Sequence, residues 1–141
     1  MKAFSILVDG VAQHFVEDKM RYHMNHNNKA ILEQGNAAIT EGNNEGFLVF
    51  CAEDTRWTFV GEKTLQGKEA VRQWMTATYE VPPKFMVENL IAEGDFVTAV
   101  GKITMKDEEG KAAQYAYCDV WKFYEGKIVE LKAFVIKTKT T

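Results

Sequence analysis

Features that mark export, metal binding or nucleic-acid contact are scarce in this sequence. The two cysteines, Cys51 and Cys118, stand far apart with no CxxC spacing, which points to reduced, buried thiols rather than a disulfide or a metal pair. The three histidines are His14, His23 and His26. The HxxH formed by the last two has no third ligand or nearby acid, so they read as surface residues and no metal is expected. A net charge of −3 gives no electrostatic reason to expect nucleic acid. The opening "MKAFSILVDG" has six uncharged residues between Lys2 and Asp9, short of a signal-peptide core and far short of a membrane span. The expectation is a cytoplasmic protein without membrane contact. "EGNNEG" and "GEKTLQG" carry glycines but lack the strand-to-helix setting and lysine placement of a nucleotide site. No GxSxG occurs either, so no cofactor is expected.

What is present is an ordinary globular composition: 46% hydrophobic and 26% charged residues over 141 positions. A chain of this length forms one core and buries roughly two thirds of the surface its unfolded form exposes. Its only prolines, Pro82 and Pro83, are adjacent and divide it. Before them the apolar period is about 3.6. Phe4, Ile6 and Val8 alternate as a short extended piece, and Asp9 then stands in N-cap position before Ala12, Phe15, Val16, Met20 and Met24. Ile31, Leu32, Gly35, Ala38 and Ile39 mark a second helix that stops at Gly42. "EGFLVFCAED" reads as a shorter apolar helix ending near Glu53 and Asp54, and residues 55–60 as a strand. Val71, Trp74, Met75 and Thr78 place "LQGKEAVRQWMTATYE" on a helix that the prolines end.

From Lys84 onward the period is 2. Strand-like runs at 84–92, 95–106, 113–124 and 127–137 are separated by "EGD", "KDEEGK" and "EG", each a hairpin signal. Helices first and strands afterwards predict an α+β domain with helices packed on one face of an antiparallel sheet. Apolar residues occupy both phases of the last strand: Ile128, Phe134 and Ile136 against Val129, Leu131, Ala133 and Val135. Both sheet faces are therefore expected to be covered, one by helices and one by a second copy of the chain.

"EGNNEGFLVFCAEDTRWTFVGEKTLQGKEAVRQWM" followed by "DVWKFYEGKIVELKAF" resembles the nuclear transport factor 2-like superfamily, in its SnoaL-like and ketosteroid isomerase-like branches. The resemblance covers about residues 28–137. It implies a cone-shaped curved sheet wrapped around about three helices, an apolar pocket at its open end, and frequently a homodimer. The domain is thus expected over 28–141, with residues 1–27 as an N-terminal extension holding the short strand and amphipathic helix.

Ketosteroid isomerases combine an Asp base with an oxyanion hole made by a Tyr and a protonated Asp. By resemblance, Asp119 in "DVWKF" matches the acid donor. The Tyr donor falls on Gly35 and the base on Phe59, so two of the three groups are missing. Glu33 and Glu45 are candidate replacements for the base, but both read as solvated helical residues. The resemblance to limonene epoxide hydrolases in the same superfamily would require acids where this chain has Ala133 and Ile136, which argues against epoxide hydrolysis.

Asp119 sits among Tyr115, Tyr117, Trp121 and Phe123 and has two readings. Desolvated on an aromatic face, its pKa rises and it becomes a donor to a ligand oxygen. Alternatively it bonds to Tyr115, Tyr117 or the backbone and satisfies itself. Trp57, Phe59, Trp74, Tyr117 and Trp121 are candidate ligand contacts, and by resemblance Leu131 and Val135 match pocket positions. The expected function is binding of a small apolar or aromatic ligand with Asp119 as polar anchor. The alternatives are an isomerase or cyclase using Asp119 with a base not identified in the sequence, and an interaction module whose cone is filled by its own side chains.

Overall fold

The structure is a computed structural model and describes residues 19–20 and 27–140. Residues 19 and 20 are helical; residues 1–18 and 21–26, with His14, His23 and His26, lie outside the described residues. Helix α1 (27–40) turns Leu32, Gly35 and Ile39 inward at helical spacing. It ends in a Schellman motif: Gly42 takes a φ of +81°, its N–H donates to the Ile39 carbonyl at 2.9 Å, and the Asn43 N–H donates to that of Ala38 at 2.8 Å.

The next helix is shorter than the sequence predicts. α2 spans only Glu45–Leu48, and strand β1 begins at Cys51 and runs to Phe59. The apolar run "GFLVFC" fits either state, and tertiary pairing decides it. The Ile128 N–H donates to the Phe50 carbonyl at 2.8 Å, and Lys127 Nζ donates to that of Val49 at the same distance. A short strand β2 (Lys63–Gln66), not expected from its polar sequence, pairs antiparallel with β1. Helix α3 (Lys68–Thr78) follows and ends a few residues before the prolines. Then come β3 (Lys84–Glu93), β4 (Phe96–Lys106), β5 (Ala112–Tyr124) and β6 (Lys127–Thr140), each within a few residues of its expected position.

The six strands form one unclosed curved sheet in the order β2-β1-β6-β5-β4-β3. Antiparallel pairing holds throughout except between β1 and β6, which run parallel. Register shifts occur in β3 between Val87 and Asn89 and in the β5–β6 ladder; such bulges bend a strand and increase its twist. The second of them turns Ile128 inward with Leu131 and Ala133, all three buried, so Val129 does not share their phase as expected.

The concave face packs on the helices. Leu32, Phe47, Leu48, Val71 and Met75 meet Trp57, Val97, Trp121, Phe123 and Leu131 in one core. Gly101 allows the sheet to draw tight beside that core: a Cβ there would lie 2.0 Å from the Met86 carbonyl oxygen and 2.8 Å from the Tyr117 hydroxyl. Since one of these contacts is backbone, Gly101→Ala should force the bulged β3 edge apart and destabilise the protein by about 1–3 kcal/mol, read as a lowered urea midpoint. An unchanged midpoint would show that the β3–β4 approach is not tight.

Candidate functional site

Four cross-strand rows on the concave face build the site from its floor outward. The first joins Val97, Trp121, Leu131 and Trp57. Its indoles meet edge to face, with Trp57 and Trp121 centroids 5.3 Å apart at 85°, and Phe47 stands 5.8 Å from Trp57. This aromatic cluster closes the narrow end. The second row is Ala99, Asp119, Ala133 and Phe59, so the carboxylate has a small side chain on either side and no hydrogen-bonding side chain from the neighbouring strands in its row. Gly101, Tyr117 and Val135 make the third row, Ile103, Tyr115 and Lys137 the fourth.

Between these rows and α3 lies a cavity of about 850 Å³, within the 300–1,000 Å³ range of small-molecule sites. Asp119 and the candidate ligand contacts Trp57, Phe59, Trp74, Tyr117, Trp121, Leu131 and Val135 all line it. Glu33 and Glu45 do not; Glu45 is paired with Arg72 at 2.6 Å. Among the described residues, no three His, Cys, Asp or Glu side chains are placed to hold a metal. Nor is any helix among them long and apolar enough to cross a membrane.

Asp119 is the chemically distinctive group. Its Oδ1 is shut off from solvent and has no hydrogen-bond partner among the described residues, so neighbouring tyrosines do not satisfy that oxygen. Burial pushes the carboxyl up to about 7, because desolvation penalises its charged form. The Tyr117 phenol is pushed up to about 12, first by burial and then by Asp119 and Glu88. The acid at the mouth behaves oppositely. Asp107 accepts from Lys137 Nζ at 2.9 Å and from the Glu109 and Lys111 amides, and these bonds, led by Lys137, hold its carboxyl below the usual range.

Two positions that resemblance assigned to catalytic groups are filled for packing. A Cβ on Gly35 would lie 2.7 Å from the Phe47 ring, so Phe47 takes the space of any larger side chain there. Phe59 stacks on Trp74 with centroids 4.8 Å apart. Sequence reasoning missed Tyr79, which lines the cavity just past the last residue of α3. Its pKa is raised above the ordinary phenol value, first by burial, then by Asp119 and Tyr117. Lying beyond the helical stripe, it gave no periodic signal.

The family model for the SnoaL-like domain matches residues 32–131. A search of the curated proteins finds no match. Solved structures share the fold at low identity. An NTF2-like protein of unknown function from Cytophaga hutchinsonii is 20% identical with a TM-score of 0.66, covering 80% of this chain and 99% of its own. A candidate SnoaL-like polyketide cyclase from Jannaschia sp. CCS1 is 15% identical with a TM-score of 0.69, covering 79% and 87%. AclR, a candidate hydroxylase from Streptomyces galilaeus, is 15% identical with a TM-score of 0.66 and covers 82% of each chain.

The unpaired carboxyl makes stability depend on pH with a defined sign. Between about pH 4 and pH 7 the folded state holds the Asp119 proton more tightly than the unfolded state, so this residue's contribution to stability is lost as pH rises through that window. Relative to Asp119→Asn, the wild-type protein should lose up to about 1.4 kcal/mol per pH unit there, measured by denaturant unfolding at each pH. Parallel curves for the two proteins would contradict a buried carboxyl at position 119.

Proposed function

We propose, because the chain belongs to the family of SnoaL-like domains, that its cavity binds a small, flat, mostly apolar molecule and anchors one polar edge of it on Asp119. The carrying observation is Oδ1, buried and unpaired between Ala99 and Ala133 on the cavity wall. An unsatisfied buried polar group costs about 1–3 kcal/mol, and a ligand oxygen seated there would remove that cost. Near neutrality the carboxyl can donate to a carbonyl or phenolate, or accept from a hydroxyl. Trp57, Phe59, Trp74, Trp121, Leu131 and Val135 supply the apolar walls, and residues 28–141 form the binding domain to which residues 1–27 are appended.

A catalytic reading rests on the same carboxyl. A group titrating near 7 can take a proton and return it, as an isomerase or cyclase requires, and a candidate polyketide cyclase shares the fold. Against the isomerase form, neither Gly35 nor Phe59 supplies a donor or base. Losing one oxyanion donor typically costs about 10²- to 10³-fold, and losing general-base assistance about 10²- to 10⁴-fold. Pure protein should therefore bind 2-naphthol, with Asp119→Ala weakening the affinity, and should not turn over a β,γ-unsaturated ketosteroid. Affinity indifferent to Asp119→Ala would remove the anchor; turnover of the steroid would establish the enzyme.

The convex face carries the assembly proposal. Met86, Ile91, Phe134 and Ile136 are exposed there, and the rows Asn89, Val100, Cys118, Phe134 and Met86, Lys102, Ala116, Ile136 make a continuous, largely apolar surface. A second copy placed about a two-fold axis would bury it. Sedimentation at micromolar concentration should give a dimer that Ile136→Asp dissociates; a wild-type monomer would refute the assembly.

A further inference from the structure

We infer that the polar edge of the molecule held in the cavity is a cation, an ammonium-type nitrogen borne by the flat apolar body, and that Asp119 is its counter-ion. This rests on the cavity being a binding site and names the charge of what it takes. Asp119 has no cation of its own. Its row holds Ala99, Ala133 and Phe59, and the rows on either side present Trp121 and Leu131, Tyr117 and Val135, all uncharged. Three lysines line the cavity, Lys63, Lys106 and Lys137, and among the described residues no arginine or histidine does. Lys63 ends the row of Asp119 three strands away, about 14 Å along the sheet. Lys106 pairs with Ala112, farther still, about 23 Å along β5 from Asp119. Lys137 lies four residues beyond Ala133 on β6, about 13 Å along the strand, and its Nζ is bonded to Asp107 at 2.9 Å. At these spans none of the three acts on Asp119: burial alone shifts its carboxyl.

The mouth has the same sign. Glu62 in the β1–β2 turn, Glu80 past the end of α3, and Asp107, Glu108 and Glu109 at the β4–β5 turn all line the cavity. Acids thus enter its wall from three separate segments and outnumber the lysines there five to three, before Asp119 is counted. A cleft lined by an excess of one sign draws in the opposite charge and disfavours its own, so a cation is admitted and an anion is opposed. The other polar side chains on the walls, Asn36, Thr78, Tyr79, Tyr115, Tyr117 and the indoles, are neutral and leave that balance unchanged. Trp57 Nε1, buried and unpaired like Asp119 Oδ1, only donates; it can serve an acceptor on the body of the ligand but not the cation. The carboxylate of Asp119 is the group left for it, and a hydrogen bond between ions is about twice as strong as one between neutral groups.

The test is calorimetric titration of the wild-type protein and Asp119→Asn at pH 7 with three probes that share a naphthalene body: 2-(aminomethyl)naphthalene, a cation; 2-naphthol, neutral; and 2-naphthoate, an anion. At about 0.01 M ionic strength, where screening extends over about 30 Å, the wild type should bind the cation about threefold to tenfold more tightly than 2-naphthol, and the anion least. D119N should bring the cation to within about twofold of 2-naphthol. A cation no tighter than 2-naphthol, or an anion bound most tightly, overturns the inference while leaving the cavity a binding site. A cation advantage that survives in D119N overturns Asp119 as the counter-ion. Should D119N not fold, proton release by the wild type decides: at pH 6, in two buffers of different ionisation enthalpy, the cation should displace the Asp119 proton and 2-naphthol should not, and equal release by both overturns the pairing. Failure of all three probes to bind the wild type overturns the binding reading itself, and this inference with it.

Discussion

One unpaired carboxyl held on an apolar wall is the constraint around which the structure is arranged. Asp119 could have been satisfied by any polar side chain on the adjoining strands, yet its cross-strand neighbours are Ala99 and Ala133. Two methyl groups offer no hydrogen bond to a group that is costly to bury. The rows on either side are filled as well: indoles below, Tyr117 and Val135 above. On α1, Phe47 lies over Gly35. Asp119 thus lines the cavity with its Oδ1 buried and unpaired, while the core around it stays closely packed.

The sheet makes this possible by bending without closing. Its edges, β2 and β3, do not meet, and α3 packs against β1 and β2. Parallel pairing of β1 to β6 brings Trp57 and Phe59 beside Leu131 and Ala133, adding the aromatic floor and one side wall to a pocket that β4, β5 and β6 would leave open. At the mouth, Lys137 of β6 holds Asp107 at the end of β4, so the two strands flanking β5 are tied at the rim. The outer face of the same strands stays apolar, which separates the surface proposed for assembly from the one that lines the cavity.

The sequence made much of this legible for identifiable reasons. Pro82 and Pro83 mark the change of period, three polar hairpins delimit the long strands, and Gly42 stops α1 where its backbone turns left-handed. Strict alternation on β5 put Tyr117, Asp119 and Trp121 on one face, and the aromatic residues near them followed into the same cavity. What escaped depends on partners distant in sequence. Cys51 begins a strand because β6 lies alongside it, although its neighbours are equally fit for a helix. The four residues of β2 are held by pairing rather than by their own apolar pattern. Val129 falls out of phase at a bulge that the hairpin residues do not announce. Tyr79 sits past the end of a helix, where period carries no information, and the closure of Gly35 depends on Phe47 from a different element.

The most direct measurement is the titration of the Asp119 side-chain carboxyl by carbon-13 NMR in the ligand-free protein, assigned by its loss in Asp119→Asn. A carboxyl desolvated on the cavity wall should titrate with a midpoint near 7, and that midpoint should move when 2-naphthol is bound. A midpoint near the ordinary 3.8, unchanged by the probe, would mean that Asp119 is solvated or satisfied, and the pocket would lose its anchor.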